Sequence, residues 1–159
     1  MAAFQQNARD FFHTHPMERT LILLKPDAVQ GKFCGKVIAR FEEAGFTIRG
    51  CKMVHLSPEV LREHYAHIAD KPFYPEVESF MRSAPVIALV LEGADVIAKI
   101  RDMLGVTDSK LAAPGTIRAE LGSKAENSKM INVAHASDSP EAAEAEITRF
   151  FKPEEVLAY

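Results

Sequence analysis

"PVIALVLEG", Pro85 to Gly93, is the stretch that decides the fold of this chain. Its first seven residues carry no charged or polar side chain. A strand with one solvent face alternates apolar and polar residues, whereas a strand covered on both faces reads as a continuous apolar run. The stretch therefore predicts a strand of a sheet that has other layers packed over both faces.

Three further runs read as strands of the same sheet. "RTLILLK" (19–25) is a short aliphatic run that Pro26 stops, and "FTIRGCKMVHL" (46–56) alternates imperfectly. "MINVAHA" (130–136) is the last apolar run and leads into a helix start at Ser139.

Helical periodicity lies between these strands. Apolar residues recur at helical spacing over 37–44 and 96–104, and Gly45 and Gly105 are C-terminal stops for those two helices. Ser57 caps a third helix, with Pro58 in its first turn. The remaining predictions are "EVLREHYAHI" (59–68) within that third helix, a loop "DKPFYPE" (70–76), a short helix ending near Ser83, and a final helix with its apolar stripe over 143–151.

The order strand, helix, strand, extra helices, strand, helix, strand, helix suits a βαββαβ ferredoxin-like α/β (α+β) sandwich. This fold has a four-stranded antiparallel sheet, and the inserted helices are additions to it. A doubly wound parallel sheet is the alternative. The stretch 105–130 has no sustained apolar period, and we expect so long a loop to be functional or disordered.

Length and composition limit the class of protein. A chain of 159 residues predicts a single domain, here 18–159, after an extension at 1–17 that we expect to be flexible. A net charge of −3 argues against a general nucleic-acid binder. Two cysteines are too few for a disulfide framework and favour a reducing compartment. Because no apolar run could span a bilayer and no secretory signal is visible, we expect a cytoplasmic protein without a membrane partner.

"NVAHASDSP" (132–140) places His135 between Ala134 and Ala136, which leave open space beside the imidazole. A histidine nucleophile needs that space at one ring nitrogen and a partner that fixes the other. Glu144 and Glu146 on the following helix are both candidate partners, and spacing alone does not choose between them. The competing interpretation is a strand end that carries a histidine by accident.

Three separate cations, Lys25, Arg101 and Arg118, would suit phosphoryl transfer if they met near that histidine. "GKFCGK" (31–36) lacks the spacing and the Ser/Thr of a Walker-type phosphate loop. Phe73, in a loop flanked by prolines, could stack on a base.

His64 and His67 lie at i, i+3 on one helix, which raises the idea of a metal pair. No cluster of cysteines, histidines or acids completes such a site in the sequence. Tyr65, between them, reads equally as a core residue or as an active-site hydroxyl.

Taken together, "LLKPDAVQG", "HYAHIADKPFY", "APGTIR" and "NVAHASDSPEAAEAEI" resemble the nucleoside diphosphate kinase family, from about Glu18 to Tyr159. The resemblance implies the ferredoxin-like fold and transfer of the γ-phosphate of a nucleoside triphosphate, typically ATP, to a nucleoside diphosphate. The implied route is ping-pong, through a phosphohistidine. The resemblance also implies Mg²⁺ with the nucleotide phosphates and a homo-oligomer, commonly a hexamer or tetramer.

The resemblance assigns roles by position. His135 would be phosphorylated, Glu146 would hold its other ring nitrogen, and Ser137 would support that carboxylate. The remaining implied roles are Lys25, Tyr65 and Asn132 facing the transferring phosphate and the sugar hydroxyl, Arg101, Thr107 and Arg118 gripping the distal phosphates, Phe73 and Val77 sandwiching the base, and Asp138 lying towards the magnesium.

Four departures from the family pattern stand out. Ala136 stands where the family usually has a glycine, and His67 stands where it often has an acid. Val77 replaces the larger leucine that is common in the family, and the segment 119–130 is longer than usual by a few residues.

Two other functions compete with the kinase. One is a non-catalytic nucleotide-binding module on the same fold. The other is a phosphohistidine hydrolase, in which water accepts the phosphate.

Overall fold

The computed structural model describes residues 15–159, which fold around one four-stranded sheet. The strand order is β2-β3-β1-β4, and every neighbouring pair is antiparallel. This topology confirms the ferredoxin-like sandwich and excludes the doubly wound parallel sheet. The strands are β1 (Met17–Leu24), β2 (Thr47–Val54), β3 (Val86–Ala94) and β4 (Ala134–Ala136).

Strand β3 is covered on both faces, as its continuous apolar run predicts. Leu89 and Leu91 belong to one buried cluster, whereas Ala88 and Val90 belong to a second cluster. Because successive side chains of a strand point to opposite faces, the two clusters lie on opposite sides of the sheet. The same alternation runs through 21–24 of β1, where all four side chains are fully buried.

Seven helices complete the two outer layers of the described chain. α1, α2, α5 and α6 contribute to the cluster that contains Leu89, while α3, α4 and the C-terminal half of α7 contribute to the one that contains Val90. Ser139 caps α7 by accepting the Ala142 N–H at 3.1 Å. The bounds are α1 (Pro26–Gln30), α2 (Cys34–Glu43), α3 (Pro58–His64), α4 (Tyr74–Met81), α5 (Val96–Leu104), α6 (Ile117–Leu121) and α7 (Pro140–Phe150).

The predicted elements need five corrections. The last strand spans 134–136 rather than 130–136, because Val133 has φ +78° and turns the chain just before β4. α3 ends at His64 instead of continuing to 68, and α4 starts inside the predicted loop at Tyr74. The corner after β1 is the short helix α1. Within 105–130, Thr116 caps the five-residue helix α6, which is too short to show a period.

The described chain begins just before the sheet. Residues 1–14, most of the predicted extension, lie outside the described residues. Met17 is already the first residue of β1 and pairs with Ala94 of β3. Among residues 15–159, no helix is long and apolar enough to cross a membrane.

Candidate active site

His135 occupies the middle of β4 and pairs with Leu23 of β1. Its side chain is 22% exposed, while Ala134 and Ala136 on either side are buried. The ring Nε2 lies 3.0 Å from Oε2 of Glu146 on α7. Because an ionised carboxylate can only accept, Nε2 carries the proton and the lone pair of the neutral ring is on Nδ1.

Glu146, and not the exposed Glu144, is the carboxylate that fixes the imidazole. Ser137 donates its Oγ–H to the same Oε2 at 2.5 Å and accepts the Leu21 N–H at 3.1 Å. Burial alone would raise the pKa of Glu146, but the bonds from His135 and Ser137 outweigh it and hold that pKa below its ordinary value. The carboxylate therefore stays ionised and keeps its role as an acceptor.

His64 lies against the same imidazole. The two rings meet edge to face, with centroids 4.5 Å apart, and Arg149 Nη1 donates to His64 Nδ1 at 3.3 Å. Burial and the nearby His135 lower the pKa of His64 to about 3. The ligand atoms of His64, His135 and Glu146 lie within 4.8 Å of one another. The exposed His67 lies outside this group, so the described residues do not bring His64 and His67 together as a metal pair.

Lys25 and Asn132 form the next part of the site. Lys25 Nζ donates to Asn132 Oδ1 at 2.7 Å and to the Met130 carbonyl at 3.2 Å. The Asn132 amide nitrogen donates to the carbonyls of Thr107 and Lys129, at 2.9 and 3.0 Å. Burial and the Arg118 charge lower the pKa of Lys25 to about 8. A buried cation next to another cation is unfavourable by itself, so this arrangement favours an anion.

Arg118 holds backbone carbonyls through three of its N–H groups and keeps further N–H groups free. It donates to the carbonyls of Asn132, Gly105 and Ala134 at 3.1, 2.9 and 2.7 Å, through Nε, Nη1 and Nη2 respectively. Two of its five N–H groups remain for a ligand. Burial and the charge of Arg101 lower the pKa of Arg118 to about 10. Both arginines line a cavity of about 230 Å³ together with Thr107 and Ala136.

A larger cavity of about 760 Å³ opens beside Lys25 and Tyr65. Phe73, which is 51% exposed, lines it together with Val77. Burial and the Glu146 charge raise the pKa of Tyr65, which keeps its phenol as a donor. The cavity is also lined by residues to which the sequence assigned no role: Ala125, Glu126, Asn127, Lys129 and Met130.

Asn132 links residues of the two cavities, because its side chain accepts from Lys25 of the larger cavity and donates to the Thr107 carbonyl of the smaller one. Asp138 lies apart from both, exposed in a third depression that Arg101 also lines. Three further acids border that depression: Glu18, Asp95 and Asp102.

Cations beside two cavities and a histidine with one free ring nitrogen define a phosphotransferase-type site. Residues 18–156 match the sequence model of the nucleoside diphosphate kinase family. A nucleoside diphosphate kinase from Rhodopirellula baltica is 47% identical over 143 residues, covering 90% of this chain and 91% of that protein.

Solved structures of such kinases share the fold. The Aquifex aeolicus enzyme superposes with a TM-score of 0.82 at 43% identity, covering 89% of this chain and all of that one. The Halobacterium salinarum enzyme in complex with CDP gives 0.85 at 39% identity, covering 91% and 93% of the two chains. The chain belongs to the nucleoside diphosphate kinase family and is an enzyme. The non-catalytic alternative finds no support in these comparisons.

Proposed function

We propose that His135 carries the transferred phosphoryl group in a ping-pong reaction. In the first half, Nδ1 attacks the γ-phosphorus of a nucleoside triphosphate, the P–O bond to the β-phosphate breaks, and the nucleoside diphosphate leaves. In the second half, a β-phosphate oxygen of another nucleoside diphosphate attacks that phosphorus and the P–N bond breaks. The observation that carries the proposal is the 3.0 Å contact of Nε2 with Glu146, which leaves Nδ1 as the nucleophile.

The cations stabilise charge on the phosphoryl group as it moves. Phosphoryl transfer depends on positioning and on neutralising the equatorial and leaving oxygens. Lys25 lies next to Asn132 at one side of the 132–136 segment, and Arg101, Thr107 and Arg118 line the cavity that includes Ala136. We assign Lys25 to the transferring phosphate, and Arg101, Thr107 and Arg118 to the distal phosphates.

The larger cavity takes the nucleoside. Phe73 offers an exposed ring for stacking, and Val77 adds an apolar contact. We assign Tyr65, which lines the cavity, and Asn132, which holds Lys25, to the transferring phosphate and the sugar hydroxyl. Stacking contacts the flat face that every base has, so these contacts favour binding of several different bases.

Asp138 fits a Mg²⁺ ion that the nucleotide phosphates hold. Magnesium at phosphate sites keeps several waters and takes only one or two carboxylates. Asp138 is exposed and shares a depression with Arg101, the distal-phosphate residue, so its carboxylate meets this need. When bound, the ion neutralises phosphate charge.

Several further properties follow the family resemblance. A homo-oligomer, hexamer or tetramer, is supported by exposed apolar side chains such as Met53 on the edge strand β2 and Leu111, which are 59% and 75% exposed. A cytoplasmic location is supported by two unpaired cysteines. The division into an extension at 1–17 and a domain at 18–159 stays a prediction.

The decisive experiment incubates the protein with a γ-³²P-labelled nucleoside triphosphate. We expect an acid-labile, base-stable label on the wild type, no label on His135→Ala, and chase of the label into any added nucleoside diphosphate. Nucleotide binding without label would favour a binding module. Release of inorganic phosphate without a diphosphate acceptor would favour a hydrolase.

A further inference from the structure

Val133, two residues before the nucleophile, has a backbone conformation that β-branched residues rarely adopt. Its φ is +78°, and the Ala134 N–H donates to the Asn132 carbonyl at 3.0 Å, which closes a three-residue turn across Val133. The side chain of Val133 is fully buried. Such strain persists only where the surroundings hold it, and it concentrates at functional sites.

The corner between β1 and α1 holds this turn from one side. Oδ2 of Asp27 accepts the Val133 N–H at 2.9 Å, and the Lys25 N–H donates to the Val133 carbonyl at 2.9 Å. Arg118 holds the other side through the carbonyls of Asn132 and Ala134. Of these contacts, the one from Asp27 is the only one that a side-chain carboxylate makes with the turn, within the described residues.

We propose that Asp27 is a positioning residue for phosphoryl transfer, because its carboxylate clamps the strained turn that aims Asn132 and His135. Asp27 acts through Val133 and has no contact with the reacting ring within the described residues. The inference rests on the proposed role of His135 as the phosphoryl carrier. Without the clamp, the turn relaxes towards negative φ, which rotates the peptide groups before and after Val133 and moves both side chains.

The hydrogen bonds of the Asp27 carboxylate separate a positioning role of this residue from a general effect of its charge. Among the described residues, Oδ1 of Asp27 is buried and has no hydrogen-bond partner, so only one oxygen of the carboxylate is used. An amide oxygen can accept the same N–H. Asp27→Asn should therefore preserve the clamp, whereas Asp27→Ala removes the acceptor and leaves a buried N–H without a partner.

The test measures the rate of phosphoenzyme formation in a single turnover with saturating γ-³²P-labelled ATP and Mg²⁺, alongside nucleotide affinity. For Asp27→Ala we expect a rate about 100-fold lower, the loss that a misplacement of about 1 Å can cause, with nucleotide affinity changed less than about threefold. Asp27→Asn should stay within about threefold of the wild type in rate. Glu59→Ala, which removes another acid from a helix first turn, is the matched control and should match the wild type.

A double-variant cycle keeps the test decisive where Asp27→Ala folds poorly. Glycine adopts positive φ without strain, so Val133→Gly holds the turn without the clamp. We expect Asp27→Ala to slow the Val133→Gly protein far less than it slows the wild type. Because Val133→Gly also removes a fully buried side chain, the double variant is compared with the Val133→Gly protein and not with the wild type.

Two results would overturn the inference: a folded Asp27→Ala with the wild-type rate, or Asp27→Ala slowing the Val133→Gly protein as much as it slows the wild type. Failure of the proposed function is a different result, since the wild type itself would then carry no label on His135.

Discussion

Oε2 of Glu146 lies 3.0 Å from Nε2 of His135, so a single carboxylate oxygen decides which ring nitrogen carries the proton. Ser137 donates to that same oxygen and fixes its direction. The ring nitrogen that keeps its lone pair is thus set by a residue on α7, eleven positions further along the chain.

Replacing Glu146 with glutamine should slow phosphorylation of His135 without removing nucleotide binding. The glutamine amide has the same shape as the carboxylate but can donate an N–H to Nε2 of His135. The lone pair of the neutral ring would then lie on Nε2, and Nδ1 would carry the ring proton and could not attack. We expect single-turnover labelling to slow by at least about 100-fold, since loss of the orienting carboxylate is similarly costly in other histidine-based sites.

Glu144→Gln, on the same helix and exposed, is the control and should label at the wild-type rate. Nitrogen chemical shifts of the histidine ring should report the changed tautomer. Wild-type labelling kinetics in Glu146→Gln would contradict the assignment.

The charge of Lys25 should make kcat/KM fall as pH rises through about 8. The ammonium is the form that attracts phosphate, and burial beside Arg118 lowers its pKa from 10.5 to about 8. The free enzyme therefore loses this charge at a lower pH than an exposed lysine would, and above pH 8 we expect about a tenfold loss for each pH unit. Measurements from pH 6.5 to 9.5 would show the bend.

Lys25→Arg provides the comparison, because a guanidinium stays charged over this range. Its absolute activity will be lower, but its profile should stay flat where the wild type bends. Two profiles with the same bend near pH 8 would show that another group is responsible.

Much of the sheet could be predicted because burial on two faces leaves a direct trace in the sequence. β1 and β3 each contain a continuous apolar run, and both strands proved central. The last strand was overextended because Met130 and Ile131 are apolar without being in the sheet. The positive φ of Val133 has no sequence signal, and the carboxylate that accepts its N–H belongs to Asp27, 106 positions away.

The site shows the same division between local and distant information. Glu144 and Glu146 were equal candidates. Two residues at i and i+2 point in different directions on a helix, but their spacing does not tell which of them faces the sheet. That rotation is set by the packing of α7 through residues such as Ala143 and Phe150. The role of Arg118 in holding three carbonyls was likewise invisible, because those carbonyls meet only after the chain has folded.

Arg101 and Arg118 should respond differently to replacement by alanine, although both line the smaller cavity. Arg101 is exposed, so its loss should weaken nucleotide binding and leave the free energy of unfolding within about 0.5 kcal/mol of the wild type. Loss of Arg118 removes three bonds to backbone carbonyls, and we expect it to lower that free energy by about 2–5 kcal/mol as well.

Denaturant unfolding and nucleotide titration of both variants would check this pair. Pyrophosphate, which is an anion of the right charge for the paired guanidinium groups, should raise the thermal midpoint of the wild type more than that of Arg101→Ala. Equal stability losses in the two variants would count against a structural role for Arg118 alone.

His64 should make the fold less stable as pH falls below about 6.5. The His64 ring is buried beside His135, Glu146 and Arg149, and its pKa in the folded protein is about 3, against 6.5 for an exposed histidine. Between those values the unfolded chain binds a proton that the folded chain does not, so stability falls with decreasing pH by about 1.4 kcal/mol per unit. Above pH 6.5 both states are neutral and the penalty is absent.

His64→Asn removes this titration and keeps an oxygen that can accept from Arg149. The asparagine protein should be less stable than the wild type at pH 7.5, because a large buried ring is lost. The difference between the two proteins should shrink by more than about 1 kcal/mol between pH 6.5 and 5, as urea unfolding at each pH would measure. Curves of unfolding free energy against pH that run parallel for the two proteins would mean that His64 does not remain neutral in the folded state.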